Sequence, residues 1–254
     1  MKKYTLFLLF IVIFMSNMPA QEIQFSSGAE LGLGVFSTKI DKDVRFRQGG
    51  LLTPPEYLLS EERESIFLAP GFSSSMRVFG DTDSSITSGF FFRNRWLLAI
   101  ELLQTGEGYR YNSLTSSGDR FIIDESYSIG DGGVIMGFMD LALGSSARFK
   151  IAQRLSFYAD FGFSFTMMYF DNITTRESLD YLGVGIFSVL AMQVDITKTV
   201  YFELGINSNM NIFSAQQGEY FVGIKKYEYE DTGRWDLTTM AAYLHIGWHL
   251  DLKR

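Results

Sequence analysis

The chain has 254 residues, no cysteine and a formal net charge of −7. Without cysteine it cannot be a disulfide scaffold or a lipid-anchored lipoprotein, and its acidic balance argues against a nucleic-acid partner, whose phosphates need a basic surface. With 46% hydrophobic and 16% aromatic residues, only 4 prolines and no helical period, the chain must bury its apolar surface through strands.

The first segment, "MKKYTLFLLFIVIFMSNMPAQ", sets Lys2 and Lys3 before an apolar run from Tyr4 to Met15 and then Ala20. That is the layout of a secretory signal, too short to span a membrane as a helix, with cleavage expected after Ala20. Residues 1–20 therefore read as a signal peptide and 21–254 as one domain.

In the first strand, "QFSSGAELGLGVFST", Phe25, Ala29, Leu31, Leu33 and Val35 oppose Gln24, Ser26, Gly28, Glu30, Gly32 and Gly34. A long first loop from Lys39 to Ser65 follows, in which Pro54 and Pro55 forbid a central strand and suit the start of a short helix. The second strand sets Ile66, Leu68, Phe72, Met76 and Val78 against Ala69, Gly71, Ser73, Ser75 and Arg77, before the turn "DTDSS".

From Ile86 to Leu103, one continuous third strand places Phe90, Phe92, Trp96, Leu98 and Ile100 together and Arg93, Arg95 and Glu101 opposite. Asn94 then falls on the apolar side, and Phe91 and Leu97 on the polar side. After a second loop from Gly106 to Gly133, the fourth strand has Ile135, Met139, Leu141 and Leu143 against Asp140 and Arg148. The fifth, "RLSFYADFGFSFTMMYF", alternates throughout: Phe157, Phe161, Phe163 and Phe165 on one side, Tyr158, Asp160, Ser164 and Thr166 on the other.

The connection Asp171 to Ser178 leads to a sixth strand with Leu182, Val184, Ile186, Leu190 and Met192 on one face and Gly183, Gly185, Gln193 and Asp195 on the other, and a turn at Thr197–Lys198 leads to a seventh. There Phe202, Leu204, Ile206 and Met210 oppose Tyr201, Glu203, Asn207, Asn209 and Asn211. A charged loop, Ser214 to Arg234, precedes the eighth strand, where Met240, Leu244, Ile246 and Trp248 oppose Tyr243, His245, His249 and Asp251.

Such alternation fits two closed barrels. In a soluble lipocalin-like carrier the apolar set lines the interior; in a membrane barrel it faces lipid, strands take about 9–11 residues, and short turns alternate with long loops. The set opposite the apolar one is glycine, serine, asparagine and tyrosine with a few charges of both signs and almost no lysine, which suits a narrow lumen better than a water-facing surface.

The expected lumen network is Glu30, Arg77, Arg93, Arg95, Glu101, Asp140, Arg148, Asp160, Glu203, His245 and His249, read as pairs that fill the interior rather than a selectivity ring. The two histidines, at i and i+4 on a strand, stand about 13 Å apart, too far to share a metal. A serine nucleophile with a histidine base can be assembled there on paper, yet no catalytic signature accompanies it, so neither enzyme activity nor a cofactor is expected. Tyr109, Tyr111, Tyr127, Tyr169, Tyr201, Trp235 and Trp248 fall near strand ends, where aromatic girdles form.

Through its signal segment, strand period and turn spacing, from Gln21 to Lys253, the chain resembles the small eight-stranded outer-membrane barrels: the OmpA membrane domain, OmpX, OmpW and similar barrels of spirochaetes. It departs from them in ending "HLDLKR", without the terminal aromatic that many carry. The resemblance implies an all-β, eight-stranded, antiparallel up-and-down transmembrane barrel in the bacterial outer membrane. It also implies a monomer in contact with outer-membrane lipid, whose loops meet an extracellular ligand or host molecule, or else a narrow conduit for small or hydrophobic molecules.

Overall fold

The computed structural model describes residues 22–40, 59–80, 84–112, 117–125, 135–172, 177–222, 225–233 and 236–251. The expected signal segment, the Pro54–Pro55 stretch, Tyr127 and Trp235 lie outside them.

Among the described residues ten strands form one sheet: β1 (Glu22–Ile40), β2 (Leu59–Phe79), β3 (Ile86–Asn112), β4 (Ser117–Glu125), β5 (Ile135–Ala152), β6 (Leu155–Asn172), β7 (Glu177–Asp195), β8 (Val200–Val222), β9 (Lys225–Gly233) and β10 (Leu237–Asp251). Every pairing is antiparallel. Eight strands, β1, β2, β3, β5, β6, β7, β8 and β10, follow one another around a ring. The ring closes where β1 meets β10, from Glu22 opposite Asp251 to Phe36 opposite Leu237. The eight-stranded up-and-down barrel expected from the sequence is thus the observed fold.

Three of the expected loops are shorter than the sequence suggests because their flanks are strand. Leu59 to Ser65 continues β2 and pairs with β1 and β3. Gly106 to Asn112 continues β3 and pairs with β4, so the second expected loop is largely a hairpin. Likewise, Ser214 to Val222 continues β8 and pairs with β9, which contains "KKYEYED". The smaller connection contracts too, since Asp171 pairs with Ser178 and Asn172 with Glu177. Hydrophobic alternation marks a strand only where one face must be apolar; backbone pairing needs no such face and carries these hairpins on.

The two additional strands are continuations of β5 and β10. Met210 lies opposite Thr238 and Ser214 opposite Gly233, so β9 and β10 follow one another along the same edge of β8. On the other arm Ile100 faces Ile135 and Gln104 faces Glu125, so β4 and β5 share one edge of β3.

Inside the ring, glycine makes room for aromatic rings. A Cβ on Gly205 would overlap the Tyr243 ring from the neighbouring strand, one on Gly247 would overlap Tyr201, and one on Gly34 would overlap Phe67. Eight strands enclose little space, so a ring fits only by lying flat over a residue without a side chain. Gly205→Val is expected to destabilise the barrel by about 1–3 kcal/mol through overpacking, read as a lower urea midpoint, because it pushes Tyr243 off its partners.

Candidate functional site in the barrel lumen

Alternation sends every second residue into the ring, and the inward side chains stack in layers along its axis. At the short-turn end, Arg148 Nη1 lies 2.8 Å from Glu22 Oε2. His249 is held between two acids, with Nδ1 2.8 Å from Glu22 and Nε2 3.0 Å from Asp195. Above them Arg77 occupies the axis: Nε and Nη2 donate to Asp160 at 3.0 and 2.8 Å, and Nη1 donates to Glu203 at 2.5 Å. Ser146 and Tyr243 donate to the same two carboxylates, and the Tyr158 ring lies 4.5 Å beneath the Arg77 guanidinium.

In the next layer Glu30 accepts from Arg95 Nε at 2.6 Å and from Arg93 Nη2 at 3.2 Å, while Arg95 Nη1 reaches Asp140 at 2.7 Å. Asn207 donates to Glu30, and Arg93 lies 3.9 Å from the centre of the Tyr243 ring. His245 has hydroxyls on both sides, Ser26 at 3.0 Å and Ser73 at 2.7 Å, so in either tautomer one serine donates and the other accepts. Neither Ser73 nor His245 has exposed surface. Farther out, Ser164, Thr166, Asn209 and Asn211 bond one another and lead to Tyr181.

Each residue of the expected network with its side chain in the ring is therefore located: ten of them meet one another or lumenal hydroxyl, amide or carboxylate groups, as above, and Glu101 is buried on the same inward face higher up β3, opposite Phe67. Sequence reasoning missed two acids. Glu22 shares the even register of Gln24, Ser26 and Glu30, so extending β1 by one inward position finds it. Asp236 was assigned between the charged loop and the eighth strand, yet it is buried and accepts from Tyr181 Oη at 2.7 Å, from Gln216 at 3.0 Å and from Ser214. Parity also corrects the girdle: Tyr201 lies inward, its ring 4.7 Å from that of His249 and its hydroxyl donating to the Phe25 carbonyl. Tyr169 and Trp248 do face outward, while the side chains of Tyr109 and Tyr111 lie outside the described residues.

Above the polar layers the lumen turns apolar. Phe36, Phe67, Ala69, Leu97, Ala99, Met136, Phe138, Met168 and Leu237 form one buried cluster, with Phe67 and Phe138 stacked at 5.1 Å.

The outer surface is the inverse of a soluble protein's. Phe163 is 67% exposed, Phe161 63% and Met240 61%, whereas Arg95, Glu203 and His245 are wholly buried. Charges inside and a continuous belt of large apolar side chains outside are stable only where the surroundings are hydrocarbon. The chain is a transmembrane β-barrel. The lipocalin-like alternative fails on this point, since its apolar set would have to point inward. Closed barrels with an apolar outer band are outer-membrane structures.

No protein-family model and no curated protein matches the sequence. Solved structures of similar fold include OprG, an outer membrane protein of Pseudomonas aeruginosa, 9% identical over 92% of this chain and 98% of that one, with a TM-score of 0.49. Others are Ail, the attachment invasion locus protein of Yersinia pestis, 11% identical over 90% and 98% with a TM-score of 0.42, and the outer membrane protease OmpT of Escherichia coli, 7% identical over 90% and 96% with a TM-score of 0.46.

Proposed function

We propose that the barrel is plugged and non-catalytic, and that it acts at the cell surface as a structural or interaction protein through the hairpins that rise above its apolar belt. The observation that carries this reading is the pairing across the lumen: Arg77, Arg93 and Arg95 are at most 1% exposed and each is pinned to a carboxylate on another strand. Side chains locked in this way fill the cross-section of an eight-stranded ring. The Ser73–His245 pair, sealed in the same layers, serves as hydrogen bonding rather than as nucleophile and base. Reconstituted in a planar bilayer, the protein is expected to carry no stepwise current. A steady conductance would overturn the plug.

A second reading, a narrow conduit for small or hydrophobic molecules, draws on the apolar cluster around Phe67 and Phe138 in the outer half of the lumen. Shortening the β3–β4 hairpin to a tight turn separates the two. The surface reading expects an intact, heat-modifiable barrel that no longer binds its extracellular partner, and the conduit reading expects transport unchanged.

A further inference from the structure

Asn94 is the one amide on the outward face of the ring among the described residues, and it lies in the middle of the apolar belt. The register places Ser27 opposite Ser74 and Ser74 opposite Asn94. Three polar side chains thus form one row across β1, β2 and β3. The same row continues as Leu141, Phe165 and Val184 on β5, β6 and β7, so the polar stretch is confined to one side. Ala29, Phe72 and Trp96 line it on the loop side, and Phe25, Met76 and Phe92 on the turn side.

Outward serines occur elsewhere on the barrel and are small enough to be tolerated, but an amide is not. Asn94 Oδ1 is buried against its neighbours with no hydrogen-bond partner. The terminal torsion of asparagine is broad and two-fold, so a modest rotation turns either the carbonyl or the N–H groups outward. At this depth neither water nor a lipid headgroup reaches it. A polar group of another protein at the same depth can satisfy it. A second copy related by a two-fold axis along the membrane normal meets that condition automatically, because it presents the same row at the same height. The row is also self-complementary, since an amide donates through nitrogen and accepts through oxygen, and a hydroxyl does both.

We propose that the β1–β3 face is a homodimer contact within the membrane, centred on Asn94 and Ser74. The half-exposed Phe72 and Trp96 beside the row are then covered by the partner. The proposal departs from the monomer expected from the sequence, and it stands independently of whether the lumen is plugged.

The absence of native cysteine makes the test direct. Ser74→Cys supplies a single reporter thiol while keeping Asn94, and Phe165→Cys supplies one in the same row on the far side of the ring. After refolding into phosphatidylcholine vesicles at high lipid-to-protein ratio, mild oxidation is expected to link Ser74→Cys into a dimer of twice the chain mass and to leave Phe165→Cys monomeric. Adding Asn94→Leu to the Ser74→Cys chain is expected to lower the dimer fraction roughly tenfold, the loss of a membrane hydrogen-bonded contact of ordinary strength. Unheated gel mobility checks that each variant is folded, and an apolar side chain facing lipid does not oppose folding. Equal cross-linking of the two reporters, or a dimer indifferent to Asn94→Leu, overturns the proposal. Cross-linking of Ser74→Cys only to other proteins in native membranes also overturns it, in favour of a different partner.

Discussion

Arg77→Met is expected to cost the barrel about 3–5 kcal/mol, the penalty for leaving buried charges without their counter-ion. Asp160 on β6 and Glu203 on β8 approach the same guanidinium from the two strands that flank β7, across the lumen from Arg77 on β2, and neither has more than a few per cent of its surface exposed. With Arg77 gone the two carboxylates are left side by side without their shared counter-ion, with hydrogen bonds from Ser146 and Tyr243 remaining. The measurement is the urea midpoint in liposomes, followed by tryptophan fluorescence and by the compact band on an unheated gel. The informative control is Arg77→Met/Asp160→Asn/Glu203→Gln. Both amides keep oxygens that accept from Ser146 and Tyr243, and replacing a whole buried ionic cluster is often neutral or stabilising. The triple variant should therefore recover most of what the single one loses. A single variant as stable as the parent would mean that water reaches the carboxylates and that the lumen is open at this layer.

The membrane-spanning part of the fold was legible in the sequence because lipid and lumen make opposite demands on alternate residues. Phe161, Phe163 and Phe165 could be placed outside and Asp160 inside from parity alone. Even the awkward assignment in β3 was readable: Phe91 and Leu97 do point inward, where Phe91 packs near Phe187 and Leu97 joins the apolar cluster, and Asn94 does point outward. What parity could not show was where the strands end. Beyond the belt no face has to be apolar, so the paired hairpins of β3–β4 and β8–β9 read as polar loops. Nor could parity choose partners. That Arg77 meets Asp160 and Glu203 while Arg95 meets Glu30 and Asp140 depends on the stagger of strands far apart in sequence, and Asp236 was hidden because it and Leu237 are both buried, which breaks the alternation on which the reading relied.

Phe163→Arg is the substitution that tests most sharply which way the barrel faces. Phe163 is the most exposed of the large apolar residues, stands midway along the outward series of β6 from Phe157 to Tyr169, and lies between Leu143 on β5 and Ile186 on β7. In a barrel surrounded by water, a charge there would be harmless and would improve solubility. In a bilayer it must be carried into hydrocarbon, at a cost of about 2–4 kcal/mol near the midplane, falling to about 0–1 kcal/mol near the interfaces. The expected result is therefore a gradient rather than a single loss: Phe163→Arg lowers the urea midpoint in liposomes strongly, while Phe157→Arg, on the same face but two residues from the start of the strand, lowers it little. Both chains keep the same inward residues, so a difference between them reports depth in the membrane and nothing about lumen packing. Equal effects at the two positions, or none at either, would place the phenylalanine face against something other than lipid.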